Sequence, residues 1–389
     1  MTQYNFTVLP ERLKTNAIKW QKVKEDPDII PLWIADMDFQ VFPEMTRALE
    51  TFAKTSVFGY DAPKDSLFTA IQNWEKNQHQ VDISKDDIVL IEGVVPAISV
   101  AINALTKVGD AVLINTPVYP PFARSVKLSG RQLVTNTLVE VDGHFQIDFQ
   151  QLEKDLVDNA VKLYVFCSPH NPGGRVWTPE ELHKLVALCQ KHNVYLVSDE
   201  IHQDLALFGH KHHSLLSDTF GEKERIIVLS SATKTFNIAG TKNSFALIPD
   251  PKLRKAFKDA QLINNQHEVS TLGFLATEVA LTQGQNWLQE LKTVLETNID
   301  LVVSVLESQT DIKVMKPEGT YLVWLDFSAY DLSHNELGRV LEEDAKLILN
   351  DGITFGKEGK YHFRLNTATP TALLKVALER LVKHFSKSS

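Results

Sequence analysis

From about residue 88 to residue 250, short β-branched runs alternate with longer amphipathic stretches, and this pattern constrains the fold more than any other feature of the chain. It predicts an α/β domain: a mainly parallel sheet covered by helices on both faces. The strand candidates are IVLIE (88–92), AVLIN (111–115), KLYVFC (162–167), VYLVS (194–198), RIIVLS (225–230) and SFALI (244–248). Helices fill the intervals. The clearest start is Thr178-Pro179-Glu180-Glu181, where a capping hydroxyl, a proline at the first helical position and first-turn carboxylates favour a helix running to about Lys191. After Ala256 the chain reads as long helices, one from roughly Asn286 to Ser308, followed by strand-like runs from Val314 to Phe327 and from Lys346 to Leu365. That is a second, smaller α+β unit. A final helix, Thr371 to Phe385, carries Leu374, Ala377, Leu378, Leu381 and Phe385 at core-facing spacing, and the terminal SKSS is expected to fray.

At 389 residues and about 150 residues per domain, two units are expected. The large one is expected over 41–285, the small one over 1–40 and 286–389. No repeat, low-complexity tract or Gly/Ser linker separates them, so a helix should join them and pack them together. Hydrophobic residues at 43% and charged residues at 23% are ordinary globular values, which excludes disorder and collagen. A formal charge of −9 argues against a general phosphate-backbone binder, so no nucleic-acid partner is expected. Cys167 and Cys189 are too few and too far apart for a disulfide scaffold or a CxxC zinc site, and reduced thiols fit a cytoplasmic protein. The N-terminal segment scatters charges where a signal peptide needs an apolar core. The longest apolar stretch, Gly93 to Leu105, is too short to span a membrane and is broken by Pro96, Ser99 and Asn103. His210, His212 and His213 lack a spaced partner pair, so they read as solvated loop histidines and no metal is expected. Gly173-Gly174 lacks the GxGxxG pattern of a dinucleotide fold.

Three segments fall at the carboxyl ends of strand candidates and would meet in the crevice of a doubly wound sheet: CSPHNPGG (167–174), SDEIH (198–202) and SSATKTF (230–236). Each alone is a weak signal, since a single Lys, Asp or Asn is more often a solvated surface residue. Together and in this order they resemble the fold-type I pyridoxal-phosphate enzymes, specifically the class I/II aminotransferase family and within it the MalY/PatB group of cystathionine β-lyases. The resemblance extends from PLWIADMDF (31–39) to FRLNTATP (363–370). SPHNPGG, SDEIH and SATKTFNIAG carry the superfamily, while WIADMDF and His202 carry the lyase group.

The resemblance implies pyridoxal 5'-phosphate (PLP) as cofactor and Lys234 as its Schiff-base lysine. An amine can form that imine and, once released by substrate, can move the Cα proton; otherwise Lys234 is one of 40 cationic side chains. Asp199 matches the carboxylate that binds the pyridine nitrogen, where its charge would keep the nitrogen protonated. An ion pair at about 4 Å with an effective dielectric near 20 is worth roughly 4 kcal/mol, about three pKa units. The plainer alternative for Asp199 is a helix N-cap. Asn171 matches the donor to the ring's phenolic oxygen. His202 stands where many aminotransferases have tyrosine; it reaches the same oxygen or is a structural histidine. For the phosphate, Gly93, Val94 and Val95 close a strand and open a helix whose N–H groups face an anion. Ser231 and Lys242 fall on phosphate-binding positions, although Lys242 replaces the usual arginine and lacks its bidentate fork. Tyr119 resembles the aromatic stacked on the ring, with a core tyrosine as rival. Arg364 matches the arginine that grips the substrate α-carboxylate, near Asn171 and Tyr119; its rival is a surface cation. Tyr60, in FGYDAP, resembles the tyrosine that reaches the neighbouring subunit's cofactor, which implies a homodimer.

An amino acid that loses its Cα proton in such a site has two routes, transamination or expulsion of a thiolate from Cβ. These residues serve both. The resemblance selects the second, because WIADMDF looks like the lyase group's segment beside the substrate side-chain pocket. The expectation is a C–S β-lyase acting on L-cystathionine or a related thioether. The alternatives are an aminotransferase for a large neutral or aromatic amino acid and, more remotely, a PLP-bearing regulatory protein, against which no helix-turn-helix or basic arm is appended.

Overall fold

A seven-stranded sheet takes in every strand candidate of the alternating region. The computed structural model describes residues 4–55, 57–221 and 223–387. Ahead of the sheet lie a two-residue strand β1 (Ile30–Pro31) and helices α1 (Pro43–Thr55) and α2 (Asp65–His79). Then come β2 (Ile88–Ile91), α3 (Val94–Leu105), β3 (Ala111–Thr116), α4 (Pro121–Leu128) and β4 (Gln132–Thr137). A hairpin of β5 (Val139–Val141) and β6 (His144–Gln146) leads into α5 (Phe149–Asp158), β7 (Leu163–Cys167), α6 (Pro179–Lys191) and β8 (Tyr195–Asp199). β9 (Ile226–Ser230), the single-turn helix α7 (Ala232–Thr235) and β10 (Ser244–Leu247) complete the sheet.

The spatial order is β2-β10-β9-β8-β7-β3-β4, with β9, β8, β7, β3 and β4 parallel and β10 antiparallel to both neighbours. β3, β7 and β9 are buried along their whole length, as continuous apolar strands covered on both faces must be. Side chains alternate between the two faces with period two. Val112, Ile114, Leu163, Val165 and Ile227 pack under α3, α4 and the next helix, α8 (Pro251–Ile263), while Leu113, Tyr164, Phe166, Leu196 and Val228 join the core on the other side. The edge strand β4 is absent from the sequence reading. Its QLVTNT alternates exposed and buried residues and offers no apolar run. From β3 the chain moves outward to β4, and from β7 it moves the other way through β8 to β9. The order therefore switches between β3 and β7, and the crevice at their carboxyl ends is where such sheets hold ligands.

α6 starts as the sequence dictates: Glu181 N donates to Thr178 Oγ1 at 3.2 Å and Thr178 N to Glu181 Oε2 at 2.8 Å. Beyond the sheet come α9 (Thr271–Gln283) and α10 (Gln285–Gln309), the latter one residue longer at each end than expected. A second sheet, β11-β12-β15-β14, is antiparallel and built from β11 (Lys313–Met315), β12 (Leu322–Asp326), β14 (Asn350–Asp351) and β15 (His362–Asn366). Between β12 and β14 lie α11 (His334–Arg339) and β13 (Leu347–Ile348), which pairs with β1. α12 (Thr371–His384) closes the chain, with all five of its expected core residues buried.

Four expectations are corrected. The run from Lys346 to Leu365 is not one strand. It breaks after Asp351 into tight turns, because the Gly352 backbone crosses so close to its neighbours that a Cβ there would lie 2.3 Å from the His362 carbonyl oxygen. The run from Val314 to Phe327 breaks where Glu318 and Gly319 turn to donate their N–H groups to Gly174 O, both at 2.9 Å. His212 is no solvated histidine: it is buried, with Nε2 3.0 Å from Glu200 Oε2. In the terminal SKSS, Ser386 bridges to Thr310 and Lys387 N donates to Gln309 O at 3.1 Å, while residues 388–389 lie outside the described residues. Cys167 and Cys189 are buried and unpaired, and among the described residues no helix is long and apolar enough to cross a membrane.

Two glycine substitutions separate close approach from helix propensity. Gly352→Ala should cost about 1–3 kcal/mol through forced backbone shifts and lower the melting temperature. Gly338→Ala lies within α11, where the new Cβ meets only Phe363 Cζ at 4.0 Å, and should gain up to about 1 kcal/mol. Thermal melts of both variants check the opposite signs.

Candidate active site

The carboxyl ends of β7 and β8, the loop after β3, the turn after β9 and the start of α3 face the second sheet across a cavity of about 490 Å³. All the candidate residues line it except Ser231 and Tyr60.

Lys234 sits on α7, whose first turn is fixed by Ser231. That hydroxyl accepts from Thr233 N at 3.1 Å and donates to Asn243 O at 2.7 Å, so Ser231 lies behind the cavity wall and Thr233 lines it instead. Lys234 Nζ donates to Ala35 O at 2.5 Å. Burial pulls its amine down to about 8, with Asp36 and Asp199 opposing and Arg364 adding to the shift. Asp199 ends β8, and its Oδ1 accepts from Ile201 N at 3.1 Å. Burial raises its carboxyl to about 7, against the pull of the Ile201 N–H and of Lys234. Loss of water thus moves an acid up and an amine down in one cavity.

Arg364 projects from β15 opposite Asn350 of β14 and is only 2% exposed. Its Nη1 donates to Asn171 Oδ1 at 2.8 Å, and its Nη2 to Trp33 O at 2.9 Å and Asn350 Oδ1 at 2.8 Å. The guanidinium also lies over the Phe355 ring, 4.9 Å from its centroid. Burial draws its pKa down to about 10, which leaves it charged at neutral pH. The bond to Arg364 commits Asn171 Oδ1 and turns its NH₂ into the remaining donor. His202 is held to about 3 by burial and by the nearby charges of Lys234 and Arg364, so its imidazole is neutral. Its Nδ1 and the Nε of Arg364 are buried polar atoms with no protein partner among the described residues.

On the opposite wall Gly93 is the N-cap of α3, with no side-chain cap to occupy the helix N-terminus. Its extended φ of −172° any residue could adopt, but a Cβ would lie 3.2 Å from Pro96 Cδ. Lys242 follows in left-handed conformation at the end of the turn after α7. Tyr119 is largely buried beside α4, edge-on to Phe122 at 6.3 Å. Tyr60 stands apart, 98% exposed in a shallow concavity with residues 267–274.

The sequence reading placed WIADMDF (33–39) beside the substrate pocket, and Trp33, Ile34 and Ala35 do line the cavity, but it did not foresee residues 33–36 as a strap of backbone acceptors. Besides Trp33 O and Ala35 O, Ile34 O accepts from Asn366 Nδ2 at 2.7 Å, and Asp36 O from Lys19 Nζ at 3.0 Å and Asn366 Nδ2 at 3.0 Å. Tyr321 OH adds a bond to Ala35 O at 3.1 Å. Asn350 was missed as well. The available signal was Asp36 and Asp38 in an otherwise apolar segment, since carboxylates there need partners; Asp38 is fully buried on Lys19 at 2.7 Å.

The aminotransferase class I and II family model matches residues 27–381. Cystathionine beta-lyase PatB of Bacillus subtilis (strain 168) is 40% identical over 383 residues, which is 97% of this chain and 98% of the relative. The crystal structure of cystalysin from Treponema denticola, which contains a pyridoxal 5'-phosphate cofactor, has a TM-score of 0.94 and 35% identity over 98% of both chains. The PLP-bound C-S lyase from Staphylococcus hominis has a TM-score of 0.92 and 28% identity over 99% of both chains.

The raised carboxyl of Asp199 carries a stability cost with a definite sign. Its folded value near 7 stands above the ordinary 3.8, so the favourable contribution of the protonated form is full below about pH 4 and is lost as pH rises through 7. In the ligand-free chain Asp199→Asn should therefore raise the melting temperature, and by more at pH 8 than at pH 5. Melts at the two pH values measure this, and an equal gain at both would contradict it.

Proposed function

The chain belongs to the aminotransferase class I and II family, and from that membership we propose that it is a PLP-dependent C–S lyase cleaving L-cystathionine or a related cysteine thioether by α,β-elimination to a thiol, pyruvate and ammonia. The observation that carries this reading is the enclosure of Lys234, Asp199 and Arg364 in one cavity. The choice of elimination over transamination draws on the relatives named as cystathionine beta-lyases and C-S lyases.

The residues present fit PLP. A buried amine, an acid made costly by lost water, an unpartnered His202 Nδ1 and an uncapped helix N-terminus match an aldehyde, a ring nitrogen, a phenolic oxygen and a phosphate. Lys234 would hold the cofactor covalently, Asp199 its ring nitrogen, and Asn171 and His202 its oxygen, with Tyr119 against the ring. Gly93, Val94, Val95 and Lys242 would take the phosphate, with Ser231 bracing the turn behind. When bound, PLP supplies the electron sink for the pair left at the substrate Cα. Arg364 grips the α-carboxylate and fixes which Cα bond faces Lys234. Once substrate has displaced it from the cofactor, the Lys234 amine, which burial makes less basic than an ordinary lysine, is the group placed to accept the Cα proton. Asp199 keeps negative charge facing the ring, and His202, held neutral, donates or accepts a hydrogen bond without exchanging a net charge. This reading keeps the enzyme in the cytoplasm, where unpaired Cys167 and Cys189 fit a reducing compartment.

Tyr60 belongs in this reading to a homodimer, reaching the partner's cofactor phosphate. Phe58 and Tyr60, 66% and 98% exposed, leave an apolar patch in the single chain that a second copy would cover. Light scattering should give a dimer mass, and Tyr60→Ala should weaken PLP binding in the purified protein; a fully active monomer contradicts this part of the reading.

The deciding experiment supplies L-cystathionine and PLP with no keto-acid acceptor. Pyruvate should accumulate with the wild-type protein and not with Lys234→Ala. Turnover that requires an acceptor would identify an aminotransferase instead.

A further inference from the structure

Directly beneath the Lys234 turn, a buried carboxylate gathers donors from separate parts of the fold. Asp204 Oδ2 accepts from Thr235 Oγ1 at 2.6 Å, and its Oδ1 from Trp74 Nε1 at 2.9 Å, with His79 Nε2 at 2.7 Å. Thr235 is the residue after Lys234 and is wholly buried. Asp204 lies in the short turn Gln203–Leu205, two residues after His202 and five after Asp199. Trp74 and His79 belong to α2.

We propose that Asp204 is a positioning residue for Lys234, fixing the turn that carries the lysine against the loop that carries Asp199 and His202 and bracing both on α2. The proposal rests on the reading of Lys234 as the cofactor lysine. α7 spans one turn of four residues, too short to hold its own orientation. The Ser231 hydroxyl fixes its beginning, and the Thr235–Asp204 bond fixes its end. Between them stands a long side chain whose amine must meet a group anchored on β8, so a lateral shift of the turn changes the alignment of Nζ with Asp199 directly.

The carboxylate suits the task because it stays ionised. Burial alone would raise Asp204, but the bonds from His79, Thr235 and Trp74 hold it below the usual carboxylate range. Burial likewise pulls His79 down, yet the bond and charge of Asp204 outweigh this and raise it. Facing the pair are Glu75 of α2, itself raised to about 7 by burial, Lys292 of α10, and Glu200, which holds His212. Charge-assisted bonds of this kind are stronger and more directional than neutral ones.

Substitutions at Thr235 separate hydrogen bonding from packing. Thr235→Val keeps the shape and removes the hydroxyl; Thr235→Ser keeps the hydroxyl and removes a methyl. In protein reconstituted with PLP, Thr235→Val should move the midpoint of the pH titration of the lysine-bound visible absorption by about half a unit or more. It should also lower kcat about tenfold while KM changes less than about threefold, a loss confined to alignment. Thr235→Ser should behave as wild type, and Asp204→Asn should reproduce the Thr235→Val titration. PLP affinity of the cofactor-stripped variants is measured alongside, with the weaker binding expected in Thr235→Val. If Thr235→Val matches wild type in titration and affinity, or Thr235→Ser is the more impaired of the two, the proposal is overturned, whether or not Asp204→Asn folds. Identical spectra of wild type and Lys234→Ala with PLP would instead overturn the reading of Lys234, and this proposal with it.

Discussion

Asp199 and Arg364 are buried and partly buried Lys234 sends its amine into the same cavity, and the surrounding architecture is arranged to offset the lost water. Part of the compensation comes from backbone carbonyls. Residues 33–36 run as a strap between the two sheets, presenting Trp33 O to Arg364 and Ala35 O to Lys234. The strap is itself held by Asn366 of β15, Tyr321 and Lys19, and Asn237 fixes the segment beyond it by binding Met37 and Phe39. The segment ahead of the large sheet, the lysine turn and the small sheet therefore form one polar unit. Displacing the strap would take Ala35 O from Lys234 and Trp33 O from Arg364, and losing a partner inside the cavity costs more than losing an exposed ion pair.

The same desolvation tunes the chemistry. An amine at its ordinary value would be almost wholly protonated at neutral pH, whereas burial draws Lys234 down to about 8, which in the proposed function suits it to take a proton and return it. Asp199 near 7 holds a carboxylate whose charge is costly unless a cation faces it, and in the proposed function that cation is the cofactor's ring end. His202 is pushed the opposite way from the role often given to histidine: at about 3 it is a neutral hydrogen-bonding group throughout the working range. Three shifts with one physical origin, loss of water, raise a carboxyl, lower an amine and keep an imidazole neutral within one cavity.

Much of this was legible in the sequence because it rests on local rules. Six strands and the α6 start follow from apolar periodicity and helix-start chemistry, and the meeting of three strand-end segments follows from the topology of parallel sheets, while the roles of their residues came from the family resemblance. What escaped depended on contacts distant in sequence. β4 has no apolar signature because it is an edge. The break at Gly352 exists because another stretch of backbone passes within the space of a Cβ. The strap was read as a family signature and not as a set of carbonyl acceptors, since nothing local says that Trp33 O will meet a residue 331 positions away. His212 looked like one of three loop histidines until Glu200, on the loop after β8, claimed it.

Arg364 shows why the distant contacts matter for function and not only for stability. A guanidinium on a flexible stem loses about 0.5–1.5 kcal/mol of side-chain entropy when it is immobilised by a ligand. Here Asn171, Asn350 and Trp33 O have already fixed it during folding, and the Phe355 ring lies against its face. The buried Nε is left without a protein partner among the described residues. A lysine could not be held this way, because a point charge has no plane to orient. In the proposed function, the ordering cost that a substrate would otherwise meet on binding has been transferred to the fold, through a strand pair, a strap and the loop after β7.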